Sequence, residues 1–145
     1  MKFGLRGMDE DHERIISLAK EVEAQVHASR PLRDIREKFH ELVEYSVAHF
    51  GREEKYMLAR GYPDMAVHKR EHEELGEWLD HLEKALAQDG PGARLAATEQ
   101  ALHFFRAWIE RHLMEFDQPL AAFLIARAER ADFPLQNRTV FDKIL

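Results

Sequence analysis

The chain has 145 residues, enough for one domain with a single hydrophobic core. Its formal net charge is −6, with acidic and basic residues interleaved and no basic stripe suited to nucleic acid, and it contains no cysteine, which excludes disulfides, thiolate zinc sites and cysteine nucleophiles. No apolar stretch approaches the roughly 20 residues that span a bilayer, and no signal-peptide core opens the chain. We therefore expect a cytoplasmic protein without membrane insertion.

Helical periodicity runs through almost the whole chain, with apolar residues recurring at spacings of three and four. Breaks fall at residues 29–31, 60–63 and 89–92, each containing the glycine or proline that ends a helix. The pattern predicts helices at residues 9–29, 32–60, 64–88 and 92–116, and a short fifth helix near 119–131. Long helices with short connections pack as antiparallel neighbours, so the expected fold is all-α, an up-down-up-down four-helix bundle with a short C-terminal helix and tail.

Polar residues that can bind a metal recur on all four predicted long helices. They are His12 on the first helix, His49 and Glu53 on the second, His68 and His72 on the third, and His112 on the fourth. The members of each pair stand four residues apart, so each pair shares one helix face and can reach a single metal ion. A lone helical histidine is most often a surface residue, but paired spacing on two helices favours metal ligation.

Four other histidines provide an internal control. His40, His81 and His103 each lie nine residues from a candidate ligand. Nine residues are about half a revolution of an α-helix, so these three should face away from the site. His27 lies fifteen residues from His12, about 22 Å along the helix axis, which is too far to join the same site. We expect all four to be exposed to solvent.

The order of the candidate ligands resembles that of the hemerythrins, and their surroundings resemble the bacterial branch, the bacteriohemerythrins. The matching segments read "MDEDH", "HFGREEKYM", "YPDMAVHKREH" and "WIERHLMEFD", the last of which adds Asp117. The resemblance covers about residues 8–125 and includes a residue at every ligand position.

The resemblance implies a non-haem di-iron centre that binds O₂ reversibly, in a protein that is not an enzyme. By analogy, one iron is bound by His68, His72 and His112, the other by His12 and His49, and both by the bridging carboxylates Glu53 and Asp117. An oxo or hydroxo group completes the bridge, and the iron with two histidines keeps an open position for O₂. Imidazole and carboxylate suit iron, although zinc or manganese could occupy the same set.

Apolar residues near these ligands are the candidates for the wall of the O₂ pocket, as apolar residues are in the family. They are Ile16, Phe50, Trp108, Ile109 and Met114. Phe104, Phe105 and Phe116 are interpreted as core aromatics, and Tyr45 and Tyr56 as packing residues or surface groups.

The spacing between His112 and Asp117 does not fit an α-helix. Five residues turn about 140°, so both side chains cannot face one site unless the backbone departs from α geometry. Either Asp117 caps a new helix with Pro119 in its first turn, or a π-bulge separates His112 from Asp117. The sequence leaves both solutions open.

Two alternative functions belong to other classes. A ferritin-like di-iron oxidase or peroxidase would use a glutamate from each of two helices and an ExxH motif from each of the other two. This chain has one ExxH motif, Glu37 to His40, and His40 is predicted to face away. An iron-handling protein is the other alternative.

The role of the C-terminal tail is left open by the sequence. We divide the chain into a bundle domain of residues 1–131 and a tail of residues 132–145. The tail's apolar residues could cover the bundle, bind a partner or lead into a further domain, and covering the bundle is favoured. The protein could carry or store O₂, or report it to a signalling or oxygenase partner, and we favour a monomer.

Overall fold

The computed structural model describes residues 2–88 and 91–130, which form helices and short connections. The helices are α1 (Arg6–His27), α2 (Leu32–Arg60), α3 (Met65–Gln88), α4 (Pro91–His112) and α5 (Gln118–Arg130). A π-helical turn, Leu113–Asp117, joins α4 to α5, so these pieces make one long helix. The predicted helical bundle is confirmed, and within these ranges there is no strand. The predicted tail, residues 132–145, lies outside the described residues.

The helices form a ring in which each one packs against its neighbours. α1 contacts α2, α2 contacts α3, and α4 closes the ring against both α3 and α1. The α2–α3 connection is short because Gly61 ends α2 in the left-handed conformation (φ 63°), which glycine adopts without the steric cost of a side chain. The chain then reverses, and Tyr62 donates its backbone N–H to the Met57 carbonyl at 2.9 Å.

Two separate groups of buried apolar side chains fill the bundle, one toward each end. Along each long helix the buried and partly buried apolar residues belong first to one group and then to the other. On α1, Met8 belongs to the first group and Ile15 to the second. On α2, Tyr56 belongs to the first and Phe50 to the second. The candidate ligands lie between the two groups in sequence or directly beside the change from one to the other, as His49 does before Phe50. The metal-binding candidates therefore form a polar layer between two hydrophobic cores.

None of the helices in the described ranges is both long enough and apolar enough to cross a membrane. Most of their large apolar residues face the two cores, and charged residues occupy much of the outer surface. This distribution is that of helices which bury one face against each other.

Candidate metal centre

Seven buried polar side chains converge in the layer between the two cores. They are His12 from α1, His49 and Glu53 from α2, His68 and His72 from α3, His112 from α4 and Asp117 from the π turn. None is more than 3% exposed. The four histidines used as a control, His27, His40, His81 and His103, are all exposed. The structure thus gathers five histidines in the layer, places His40, His81 and His103 on the outer side of their helices, and leaves the distant His27 at the surface.

The larger of two ligand groups combines three imidazoles with one oxygen from each carboxylate. Glu53 Oε2 lies 3.1 Å from His72 Nε2 and 3.5 Å from His68 Nε2. Asp117 Oδ1 lies 3.0 Å from Nε2 of both His68 and His112. The Nε2 atom of His112 is also 3.2 Å from Nε2 of both His68 and His72. Three nitrogens and two oxygens therefore surround one point.

The smaller group combines two imidazoles with the other oxygen of each carboxylate. Glu53 Oε1 lies 3.2 Å from His49 Nε2 and 3.7 Å from His12 Nε2. Asp117 Oδ2 lies 3.0 Å from His12 Nε2. Each carboxylate thus turns one oxygen toward each group, which is the arrangement of a ligand that bridges two cations.

The π turn brings Asp117 onto the same face as His112. Gln118 donates its backbone N–H to the Leu113 carbonyl, five residues back instead of four, and this wider turn aligns residues that stand five apart. Pro119 contributes the physical reason, because it has no N–H to donate and its ring clashes with the carbonyl four residues before it. Of the two predicted solutions, the π-bulge is the one observed, and α geometry ends at His112 instead of residue 116.

The carboxylate oxygens and imidazole nitrogens of this layer are better placed to bind a metal ion than to form hydrogen bonds with one another. Both oxygens of Glu53, both oxygens of Asp117 and both ring nitrogens of His12 have no partner in hydrogen-bond geometry within the part of the chain that the structure describes, although the carboxylates lie 3.0–3.7 Å from imidazole nitrogens. Buried polar atoms are otherwise almost always paired. Imidazole nitrogens together with carboxylate oxygens are the ligand set that transition metals such as iron prefer. The residues present therefore fit the binding of cations at both groups.

The ionisation of these side chains shows how strongly the layer attracts positive charge. Burial lowers the pKa of a histidine, yet the charge of Glu53 and the hydrogen bond to Asp11 raise the pKa of His49 to about 10. Burial also opposes ionisation of Glu53, but the charge of His49 and the contact with His12 hold its pKa well below the ordinary value. Against the same desolvation, contacts with Asp117 and Glu53 raise the pKa of His68 to about 9. A bound cation would replace these protons, so metal binding must release them.

Two carboxylates outside the ligand groups hold histidines in place, and the sequence analysis did not find them. Asp11 accepts a hydrogen bond from His49 Nδ1 at 3.0 Å, and Glu54 accepts one from His72 Nδ1 at 3.2 Å. Both stand directly beside a ligand in the sequence, which was the signal available. Metal-bound histidines usually donate their second nitrogen to such a partner.

Aromatic rings stack on two of the candidate ligands, His72 and His112. Trp108 stacks on His112 with ring centroids 4.4 Å apart, and Phe116 stacks on His112 at 5.2 Å. Phe50 stacks on His72 at 4.3 Å. Phe50 and Trp108 thus lie against candidate ligands, and their part in a wall of an O₂ pocket stays a prediction. Phe116, interpreted from sequence as core, contacts a candidate ligand as well.

The remaining pocket candidates occupy different environments. Ile109 is 4% exposed, and together with the partly buried Ile16 it lines a cleft of about 170 Å³ between α1 and α4. The part of Met114 in the pocket wall stays a prediction, but the residue is 49% exposed. The physical reason is the π turn, which faces Leu113 and Asp117 inward and leaves Met114 outward.

Comparisons with known proteins agree with this geometry. Three proteins named bacteriohemerythrin are similar to the chain. The protein from Methylococcus capsulatus is 26% identical over 110 residues, which cover 76% of this chain and 80% of that protein. The protein from Stenotrophomonas maltophilia is 36% identical over 74 residues, covering 50% and 47%. The protein from Clostridium acetobutylicum is 25% identical over 123 residues, covering 81% and 91%.

The match to a protein-family model extends over most of the chain. The model is described as the hemerythrin HHE cation binding domain, and it matches residues 4–124. That range contains all seven side chains of the two ligand groups. The chain belongs to the hemerythrin family.

Proposed function

We propose that this protein binds O₂ reversibly at a non-haem di-iron centre, in the bundle of residues 1–131. One observation carries the proposal: two adjoining ligand groups share both carboxylates but hold unequal numbers of imidazoles. The larger group offers three nitrogens and the smaller group two. A cation in the smaller group keeps a coordination position free, and an open position is where a metal site binds its small-molecule ligand.

The chain's own residues would hold two iron ions in this site. Two ferrous ions supply the open coordination position and the electrons that reversible O₂ binding requires. Glu53 and Asp117 would bridge the pair together with an oxo or hydroxo group, and their negative charges offset part of the charge of the cations. The five histidines would complete the two coordination spheres.

Aromatic and aliphatic side chains would keep water away from the bound ligand. Phe50 and Trp108 cover the histidines with apolar rings, and Ile109 is buried on the same helix as His112. A dry environment disfavours entry of water or anions, which compete for an open metal position. The apolar wall therefore supports binding of O₂ rather than its turnover.

The test is metal analysis combined with optical spectroscopy. Protein produced with ample iron should contain two irons per chain. When it is reduced anaerobically and then exposed to air, a visible spectrum should appear, and it should disappear again when O₂ is removed. A maximum of one iron per chain would contradict the di-iron proposal. Continuous consumption of a supplied reductant without a reversible spectrum would favour the oxidase alternative.

We expect Ile109→Ala to shorten the lifetime of the O₂-dependent spectrum several-fold, because the smaller side chain opens the wall beside the site to water. The measurement is stopped-flow mixing of reduced protein with O₂, followed by the decay of the spectrum. Ile35→Ala is the matched control, since Ile35 belongs to the same group of buried apolar side chains as Ile109 but lies about 21 Å from His49 along α2.

Both substitutions should destabilise the fold by about 2–5 kcal/mol. The Ile35→Ala protein should nevertheless keep the wild-type decay rate. Equal decay rates in Ile109→Ala and wild type, at equal iron content, would show that Ile109 contributes only to the core.

A further inference from the structure

We propose that Asp11 is a positioning residue which orients His49 and makes the smaller ligand group depend on a buried negative charge. This inference rests on the proposed di-iron function and deepens it. It concerns a side chain that lies behind a ligand instead of in the site.

Asp11 and Glu53 contact opposite nitrogens of the same imidazole. Asp11 Oδ2 lies 3.0 Å from His49 Nδ1, while His49 Nε2 lies 3.2 Å from Glu53 Oε1. A carboxylate at Nδ1 holds the proton there, so Nε2 keeps its lone pair for a metal. The same contact fixes the plane of the ring and increases the basicity of the ligand.

Asp11 is itself held by three groups, so its carboxylate has little freedom to turn. Arg52 donates to Asp11 Oδ2 through Nε at 2.8 Å and through Nη2 at 2.7 Å. The Tyr45 hydroxyl donates to Asp11 Oδ1 at 2.8 Å. Asp11 is 7% exposed, so solvent screens its charge weakly. Arg52 offsets this charge and makes its burial tolerable.

In the larger ligand group, Glu54 takes the place that Asp11 has in the smaller group, but its interaction with the histidine is weaker. Glu54 accepts from His72 Nδ1 at 3.2 Å, but its side chain is 25% exposed and lies 4.0 Å from Lys69 Nζ. Nδ1 of His68 and Nδ1 of His112 have no hydrogen-bond partner among the residues described. Greater exposure to solvent therefore reduces the effect of Glu54, whereas the more buried Asp11 acts on one of only two imidazoles in its group.

The consequence is an unequal loss of metal when Asp11 is removed. In Asp11→Ala, the first equivalent of metal should bind as in wild type, in the group with three imidazoles. The second equivalent should bind about 10- to 100-fold more weakly, which is the usual cost of losing such an outer partner. Asp11→Asn keeps an acceptor for Nδ1 without the charge, so its loss should be smaller.

The experiment is a titration of chelator-stripped protein with Co²⁺, followed by its visible absorption and by competition with a chelator. Glu54→Gln is the matched control, since it removes the corresponding carboxylate behind the other group, and it should leave the second equivalent unchanged. Circular dichroism checks that each variant retains its helices. Binding of both equivalents by Asp11→Ala as tightly as by wild type would overturn the inference.

A second readout separates positioning from a merely structural role. The reduction potential of iron-loaded Asp11→Asn should be higher than that of wild type, because a buried negative charge stabilises the ferric state. A tenfold change in the preference for ferric over ferrous iron corresponds to 59 mV for one electron. An unchanged potential, or equal weakening of both equivalents with loss of helicity, would overturn the inference. Wild-type protein that binds fewer than two Co²⁺ ions would overturn the di-metal centre as well.

Discussion

His72→Ala protein should retain far less iron than wild-type protein, whereas His81→Ala protein should retain the wild-type amount. His72 Nε2 lies 3.1 Å from Glu53 Oε2, and the His72 ring stacks on the apolar ring of Phe50. His81 is on the same helix nine residues later, is exposed, and contacts the backbone oxygen of Glu77. Both substitutions remove an imidazole from α3, but only one removes it from the centre.

The expected loss is larger than that caused by an outer partner. Removing such a partner typically lowers metal affinity 10- to 100-fold, and loss of a direct ligand should reach at least about 100-fold. The measurement is iron content per chain after dialysis against a series of chelator concentrations, with circular dichroism to confirm folding. Equal iron retention in the two variants would mean that the assignment of helix faces to the metal centre is wrong.

Removing the metal should lower the melting temperature of the wild-type protein by on the order of 10 °C. A metal present at about 1,000 times its dissociation constant stabilises the folded state by about 4 kcal/mol, and in a domain of this size that corresponds to such a shift. The structural reason is that removal leaves buried carboxylates and imidazoles close to one another but without hydrogen bonds in good geometry.

The melting temperature of the metal-free protein should also fall as the pH rises. The pKa of His49 is raised to about 10 and that of His68 to about 9, above the ordinary value of 6.5. Protonation of these histidines therefore stabilises the metal-free fold fully below pH 6.5, and this stabilisation is lost as the pH rises through 9 to 10. The metal-loaded protein should change less over the same range, since metal has replaced these protons.

Calorimetry of chelator-stripped, metal-loaded and reloaded samples between pH 7 and pH 9.5 checks both parts of this prediction. The reloaded sample is the control, because it should recover the original melting temperature if stripping caused no other damage. His81→Ala should show the full difference between its metal-free and metal-loaded forms. Identical melting temperatures with and without metal would show that the polar layer does not couple metal binding to folding.

Local sequence was sufficient for the helices and for the direction of their histidines. The period of 3.6 residues per turn determines which side chains share a face, so the spacing of His72 from His81 was enough to place one inside and one outside. The turn after α2 was equally predictable, because Gly61 takes a left-handed conformation that few other residues adopt readily. The resemblance to hemerythrins then supplied Asp117, which the spacing alone did not assign.

Features that depend on neighbouring helices were decided only by the tertiary structure. The sequence allowed either a helix cap or a π-bulge before Asp117, and the structure has the π-bulge. The π-bulge accommodates Pro119, which cannot continue a regular α-helix, and lets the chain continue as one helix packed against the others. The exposure of Met114 follows from the same turn. The hydrogen bond between Asp11 and His49 joins residues 38 apart in sequence, on two different helices. The rotation and axial position of one helix relative to the other cannot be read from the local sequence. Periodicity reports which face of a helix is buried, whereas packing decides which side chains meet there.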